Sequence, residues 1–296
     1  MGNLVPNSAK VGACLVCRNG SLKPYSGETW EYGNISYGLL QCPVCNCAFT
    51  NPLPDNRSLE TYYEKVFNYQ WYADHYGAKL RDARSRLAEY RDLVGSRMLD
   101  FGGGLGYLSR VARKAGLDSI TYDPYTAQKV PQPGVWDSVV SLHALEHSND
   151  LDTTIELMKS MLRPGGSLIL AVPNFGGRGY REQGMKWVWA QPPLIHIFHF
   201  TAEGLQALLT RHGFGNIRVS YHERWDANLI SDLENVDKFR RMDSDWSRKR
   251  YNFAPIRKLI AFRNGRARFK CLEKAEAQKF NGSEDCSELQ IVATSL

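Results

Sequence analysis

Residues 98–106 read MLDFGGGLG, an apolar run that ends in an aspartate and passes straight into a glycine cluster. Arg97 to Phe101 has the composition of a buried strand, and Leu105 to Ala115 (LGYLSRVARKA) spaces its apolar residues as a helix does. The glycines therefore sit on a strand-to-helix turn. Glycine there permits positive φ and lets a ligand approach the bare backbone. The helix that starts near Leu105 aims unpaired N–H groups into the same turn. Asp100, Gly102, Gly104 and Gly106 form the pattern D-x-G-x-G-x-G. A turn of this kind serves NAD, FAD or S-adenosylmethionine (SAM), so the choice among them rests on the residues downstream.

The next segment is LDSITYDPY, in which Leu117 to Tyr122 reads as a second short strand ending at Asp123. An acidic side chain at that point can accept both hydroxyls of a ribose. Then comes WDSVVSLHALEHSND, residues 136–150, with a buried strand over Val139 to Leu142 and the tetrapeptide ALEH behind it. A helix over Leu151 to Leu162 leads to RPGGSLILAVPN, residues 163–174, a proline-glycine turn feeding an apolar strand, and residues 196–201 read HIFHFT. In this order the motifs resemble class I SAM-dependent methyltransferases, in the group that carries DxGxGxG, LEH, LxPGG and an HLxHFT-like segment. The resemblance spans Met98 to Gly213. NAD binding does not call for the LEH and PGG strings at these spacings.

The resemblance implies an α/β, Rossmann-like sheet, mostly parallel with an antiparallel last strand, in an enzyme that moves a methyl group from SAM. It places Asp100, Gly102, Gly104, Gly106, Asp123 and Leu142 against the cofactor. Gly215 to Tyr221 and Glu288 to Thr294 are then the strand pair that ends such a sheet, separated by an insertion over 222–287. Only twelve residues, three of them proline, lie between Asp123 and Trp136. Many members place a helix and a third strand there, so no acid is assigned to the adenine.

A chain of 296 residues holds one such domain, over 95–296, with accessories before it. With 43% hydrophobic and 23% charged residues it has the make-up of a globular protein. The segment MGNLVPNSAKVGA lacks the charged and apolar regions of a secretory signal, and no run of eighteen apolar residues occurs, so a cytoplasmic location is expected.

Five of the seven cysteines precede residue 48. Cys14-x2-Cys17 and Cys42-x2-Cys45 present two pairs of sulfurs at the spacing of zinc knuckles, and short strands between them suit a ribbon over residues 1–56. Two disulfides are the other reading, less apt for paired C-x-x-C in a reducing compartment. Cys47 is a spare or stands in for Cys45. Zinc closed by four thiolates has no open position, which makes its role structural. Residues 57–94 read as helices of a lid or linker, with Tyr69, Trp71, Tyr72 and Tyr76 either lining the cofactor mouth or burying the lid helix.

SAM carries an activated methyl group, so transfer chiefly requires placing the acceptor. A hydroxyl acceptor must also lose its proton, commonly to histidine. His143 and His147 follow one strand, and His196 and His199 the next, at the carboxyl ends that face the crevice of such a sheet. Two schemes compete: a general base, with His143 the first choice, or a divalent metal held by Glu146, His147 and the later histidines. The metal scheme rests on resemblance to small-RNA and ubiquinone-pathway O-methyltransferases, which present ExxEH, whereas here His143 replaces the first glutamate. The plain alternative is that Glu146 and His147 cap the helix and hold its loop.

Arg248 to Lys270 carries nine basic residues and no acid, which leaves the rest of a +6 chain at −3. Ile256, Leu259, Ile260 and Arg263 fall at helical spacing, so a basic amphipathic helix is expected there. It would meet an anionic membrane surface, which would make the chain peripheral to it, or a phosphate-bearing substrate, or RNA, or only solvent. The reading that best unites these features is a methyltransferase with a structural zinc module and a small-molecule acceptor, a hydroxyl on a sugar, glycolipid precursor or secondary metabolite. RNA methylation is the runner-up, and a non-catalytic SAM-fold binding subunit a third reading.

Overall fold

The computed structural model describes residues 12–32, 34–65, 76–124, 129–187, 189–190, 194–224 and 282–296. Tyr69, Trp71, Tyr72 and the basic segment from Arg248 to Lys270 lie outside these residues. The chain divides into two compact units, one of Met1–Gly176, Gln191–Ser220 and Leu289–Leu296, the other of Gly177–Ala190 and Tyr221–Glu288.

The first unit begins with four short strands: β1 (Lys23–Pro24), β2 (Trp30–Tyr32), β3 (Ile35–Gln41) and β4 (Ala48–Asn51). Strand β3 pairs antiparallel with the other three. Helices α1 (Asn56–Lys65) and α2 (Tyr76–Tyr90) come next, and then the strand that the glycine turn terminates, β5 (Arg97–Phe101). Helix α3 runs over Tyr107–Lys114, β6 over Asp118–Tyr122, β7 over Trp136–Leu142, α4 over Leu151–Met161 and β8 over Leu162–Pro173. Within the described residues the main sheet has the order β10-β11-β8-β7-β5-β6, with β10 at Phe214–His222 and β11 at Glu288–Ser295. Strand β5 lies parallel to both β6 and β7, with Leu99 opposite Ile120 on one side and Val139 on the other. This is the Rossmann-like arrangement of class I methyltransferases.

Burial explains why these runs are strands. Met98, Leu99, Val139, Val140, Leu168 and Ile169 are fully enclosed, so both faces of the central strands are covered and alternation is lost, as in other parallel sheets. Leu80, Leu87, Val111 and Ala112 of α2 and α3 pack on Met98, Val140 and Ile169. Each such side chain contributes roughly 1.5–3 kcal/mol on burial.

The proline-glycine turn sits inside β8 rather than ahead of it. Trp136 pairs with Leu162 and Ser138 with Ser167, so Arg163 to Gly166 bulge out against the single residue Asp137. The carboxylate of Asp137 holds Arg163 Nε at 2.6 Å and the backbone N–H groups of Ser96 and Arg97 at 2.9 Å. These donors, the Arg163 guanidinium first, keep its pKa well below the usual carboxylate value.

The short strands do not form a separate sheet confined to residues 1–56. Strand β4 also pairs antiparallel with β9 (Phe198–His199), placing Ala48 opposite His199 and Phe49 opposite Phe198. Helix α6 (Ala202–Arg211) comes after β9. In the second unit, α5 (Arg178–Gln183) leads to Trp187, whose indole packs on the Tyr180 ring at 4.7 Å. Arg224 bonds the buried Glu288 carboxylate at 2.9 Å, and Arg181 pairs with Asp285. Among the described residues no helix is long and apolar enough to cross a membrane.

Candidate functional site

The glycine turn is held from beneath by Asp100. Its carboxylate, 3% exposed, accepts from the backbone N–H of Ser109 and from Thr121 Oγ1, both at 3.2 Å. Burial outweighs these bonds and pushes its pKa up to about 6. The glycines then divide by purpose. A Cβ on Gly102 would stand 2.4 Å from that of Ala144, one on Gly103 2.4 Å from the Asp100 carboxylate, and one on Gly106 2.7 Å from Thr121 Oγ1. These three are required by packing. Gly104 has φ +51° and nothing within 4 Å of its missing Cβ, so its bare surface faces open space.

Helix α3 starts two residues later than the apolar spacing suggests. Gly106 takes a left-handed conformation at its N-cap, and the Asp100 carboxylate caps the Ser109 N–H of the first turn. A helix N-terminus in this position favours an anion or a polar cofactor group. Asp123 directly succeeds β6 and is 9% exposed. Leu142 closes β7, with its side chain packed partly against the core. Gly103 lies outside the D-x-G-x-G-x-G pattern, and only the position of Asp100 shows why it must be glycine. Tyr76 is not a buried lid residue: it is 43% exposed and accepts a hydrogen bond from Arg110 Nη1 at 2.8 Å.

Three of the four histidines, His143, His147 and His196, gather around Glu146. His143, at the end of β7, holds a left-handed backbone with φ +50°, uncommon outside glycine and a form of strain concentrated at functional sites. Its backbone N–H is pinned to Ala171 O at 2.8 Å. Its side chain is 29% exposed, against 9% for His196 and none for Glu146. His143 Nδ1 stands 3.4 Å and His196 Nε2 4.0 Å from Glu146 Oε1. Neither Glu146 oxygen has a hydrogen-bond partner among the described residues. His147 Nδ1 donates to Ile195 O at 2.6 Å, which fixes the tautomer so that Nε2 carries the lone pair. Glu146, His147 and His196 each offer a ligand atom within 4.8 Å of the others.

His199 does not share this position. It is 2% exposed on β9, and burial drives its pKa down to about 3, so it is a neutral ring inside the wall. A row of ring contacts runs through it: Tyr25 to Phe175 at 5.0 Å, Phe175 to His199 at 5.6 Å, His199 to His196 at 6.3 Å and His196 to His147 at 4.9 Å. No local signal in the sequence marks Tyr25, which the cysteine-rich segment brings to this row.

The four expected cysteines come together. Cys14 and Cys45 Sγ are 3.7 Å apart, as are Cys17 and Cys42. Four sulfurs about 2.3 Å from one tetrahedral ion would be separated by about 3.8 Å. The two knuckles have the same conformation: Arg18 and Asn46 are left-handed, with φ +62° and +56°, and each N–H returns to the first cysteine's carbonyl at 2.9 Å. The contact with Cys45 and burial push the Cys14 thiol far up. Cys47 is not in the set. Its sulfur accepts from Thr201 N at 3.3 Å.

The sequence profile of a family described as "Methyltransferase domain" matches residues 72–219, half of the chain. The chain belongs to this family. It is similar to a highly reducing polyketide synthase of Aspergillus luteorubrus, 28% identical over 162 residues, which cover 52% of this chain and 4% of that protein. It is also 33% identical, over 108 residues, to a ubiquinone biosynthesis O-methyltransferase of Xanthomonas euvesicatoria, covering 28% of this chain and 45% of that one. The chain thus spans less than half the length of these relatives. Among solved structures, phosphoethanolamine N-methyltransferase 2 of Haemonchus contortus, bound to SAM, aligns with 15% identity and a TM-score of 0.48 over 91% of this chain and 71% of that one. A Burkholderia thailandensis 1,6-didemethyltoxoflavin-N1-methyltransferase aligns with 13% identity and a TM-score of 0.46 over 93% and 99%.

Proposed function

We propose that this methyltransferase domain transfers the methyl group of SAM to a hydroxyl of a small molecule, with His143 as the proton acceptor. A divalent cation held by Glu146, His147 and His196 would lie beside it. The observation that carries this reading is the Glu146 carboxylate, wholly buried, without a hydrogen bond among the described residues, and faced by imidazoles. An ionised group so placed is costly unless a cation answers it. When bound, the cation would lower the pKa of an acceptor hydroxyl and orient it. Similarity to the ubiquinone biosynthesis O-methyltransferase of Xanthomonas euvesicatoria supports oxygen as the acceptor atom. A sugar, glycolipid precursor or secondary metabolite is the class we favour.

The chain's own part is chiefly placement. Gly104 and the N-terminal end of α3 receive the cofactor, and Asp123 accepts from its ribose. The acceptor oxygen attacks the methyl carbon as the carbon–sulfur bond breaks. The sulfonium becomes a neutral thioether, and the hydroxyl proton leaves to His143. Zinc on Cys14, Cys17, Cys42 and Cys45 holds the ribbon and takes no part in the chemistry. Calorimetry with SAM, and then methyl transfer from labelled SAM to a panel of hydroxyl-bearing metabolites, tests the reading. Binding that weakens by roughly 1.5–3 kcal/mol in Asp123→Ala is expected, since the carboxylate accepts from the ribose. Absence of SAM binding, or binding of NADH instead, overturns it.

A further inference from the structure

The four-cysteine cluster and the Glu146 centre are built onto the same stretch of chain. Ile197 joins them directly: its N–H donates to Glu146 O and its carbonyl accepts from Thr50 N of β4, both at 2.8 Å. On one side of Ile197 stands His196, facing Glu146 at 4.0 Å. On the other, Phe198 and His199 pair with Phe49 and Ala48. Thr201 closes the connection. Its hydroxyl donates to the carbonyl of Cys45 at 2.5 Å while accepting from Gly204 N at 3.2 Å, and its N–H donates to Cys47 Sγ. Gly204 is glycine because a Cβ there would lie 2.0 Å from that sulfur. The knuckle that supplies two of the four thiolates is therefore bonded at Thr201 to the same segment that carries His196.

We infer that the cysteine module is a positioning element for the acceptor centre: closing its four thiolates on a metal sets where His196 stands over Glu146, through Thr201 and the β4–β9 ladder. The glycine turn, on β5 and α3, takes no part in this connection. Cofactor binding and acceptor positioning are thereby separable, with metal on the cysteines governing only the second. The inference rests on the four-thiolate reading of the cysteines. Thr201 and Cys47 are positioning residues, not catalytic ones.

The test uses the full chain and reads the imidazole nitrogens by NMR, with resonances assigned through His→Gln variants. Reversible removal of zinc should shift the His196 and His147 resonances and leave SAM affinity unchanged. It should also weaken binding of Mn²⁺, a hard cation that thiolates bind poorly, by about tenfold, the usual cost of disturbing the groups that orient metal ligands. Thr201→Val and Cys47→Ala, which retain all four thiolates, should shift the same resonances in the same direction with zinc in place. His196 and His147 signals that stay put in both the zinc-free protein and Thr201→Val overturn the inference. A zinc-free chain that also loses SAM binding rejects it, because the effect would then be general. A chain that purifies without zinc refutes the four-thiolate reading alone, and the spectra of the two variants still decide the coupling. A chain that binds no Mn²⁺ counts against the cation at Glu146, while the imidazole shifts decide the positioning role.

Discussion

Gly102 and Gly104 sit two residues apart, both in left-handed backbone, and answer to different neighbours. Gly102 faces Ala144 and Gly104 faces open space. An alanine at either position carries roughly 1–2 kcal/mol of left-handed strain, but only Gly102→Ala also drives a methyl group into the core. Gly104→Ala is expected to keep most of its thermal stability while losing SAM affinity, and Gly102→Ala to lose stability first; calorimetry and thermal melts on the same samples separate them. Asp100 makes a second prediction. Its folded-state pKa, about 6, stands above the unfolded value near 3.8 because the folded chain buries it. Between about pH 4 and 6 the unfolded state gives up this proton first, so stability falls as pH rises through that window, by up to about 3 kcal/mol. Asp100→Asn keeps an acceptor for Ser109 and removes the titration. Urea unfolding at several pH values should give a flatter profile for the variant, and an unchanged slope rejects the assignment.

Elements whose cause is local were legible at their true positions. Arg97 to Phe101 is the strand the sequence indicates, residue for residue, because an apolar run buried on both faces next to glycines has few alternatives. The start of α3 was not legible, since the left-handed Gly106 delays it. Nor was the bulge over Arg163 to Gly166, which depends on Asp137 in another strand. The same holds for the cysteines. Spacing identifies two knuckles, but the choice between Cys45 and Cys47 is made by α6, over 150 residues away, whose Gly204 leaves room for the Cys47 sulfur. Elemental analysis should find one zinc per chain. Cys42→Ser should lose it and melt the ribbon, because metal binding there is folding free energy, whereas Cys47→Ser should keep it. Loss of zinc in Cys47→Ser with retention in Cys45→Ser would reverse the ligand assignment.

Over the whole molecule the cofactor side and the acceptor side are encoded differently. Apart from Leu142, the residues expected at the cofactor lie on one continuous stretch, Arg97 to Asp123, whose strand and glycine turn are legible in the sequence. The acceptor side draws Glu146 from one loop, His196 from another and Tyr25 from the ribbon, so the histidines could be named but not ranked. Burial ranks them: His199 lies inside the wall, and His143 is the more exposed of the two rings measured against Glu146. This division predicts how variants sort. His143→Ala, Glu146→Gln and His196→Gln should all leave SAM affinity intact, since none is among the residues expected to hold the cofactor. His143→Ala should lower turnover by about 10²–10⁴, the usual worth of a positioned base, while still binding Mn²⁺. Glu146→Gln and His196→Gln should lower turnover and lose Mn²⁺ together. EDTA that leaves zinc on the cysteines should depress the wild-type rate, and Mn²⁺ or Mg²⁺ should restore it. Turnover indifferent to EDTA and to Glu146→Gln, yet lost in His143→Ala, would remove the cation and leave the base. Full turnover in all three variants would leave placement alone as the source of rate, sufficient only for an acceptor already deprotonated in solution.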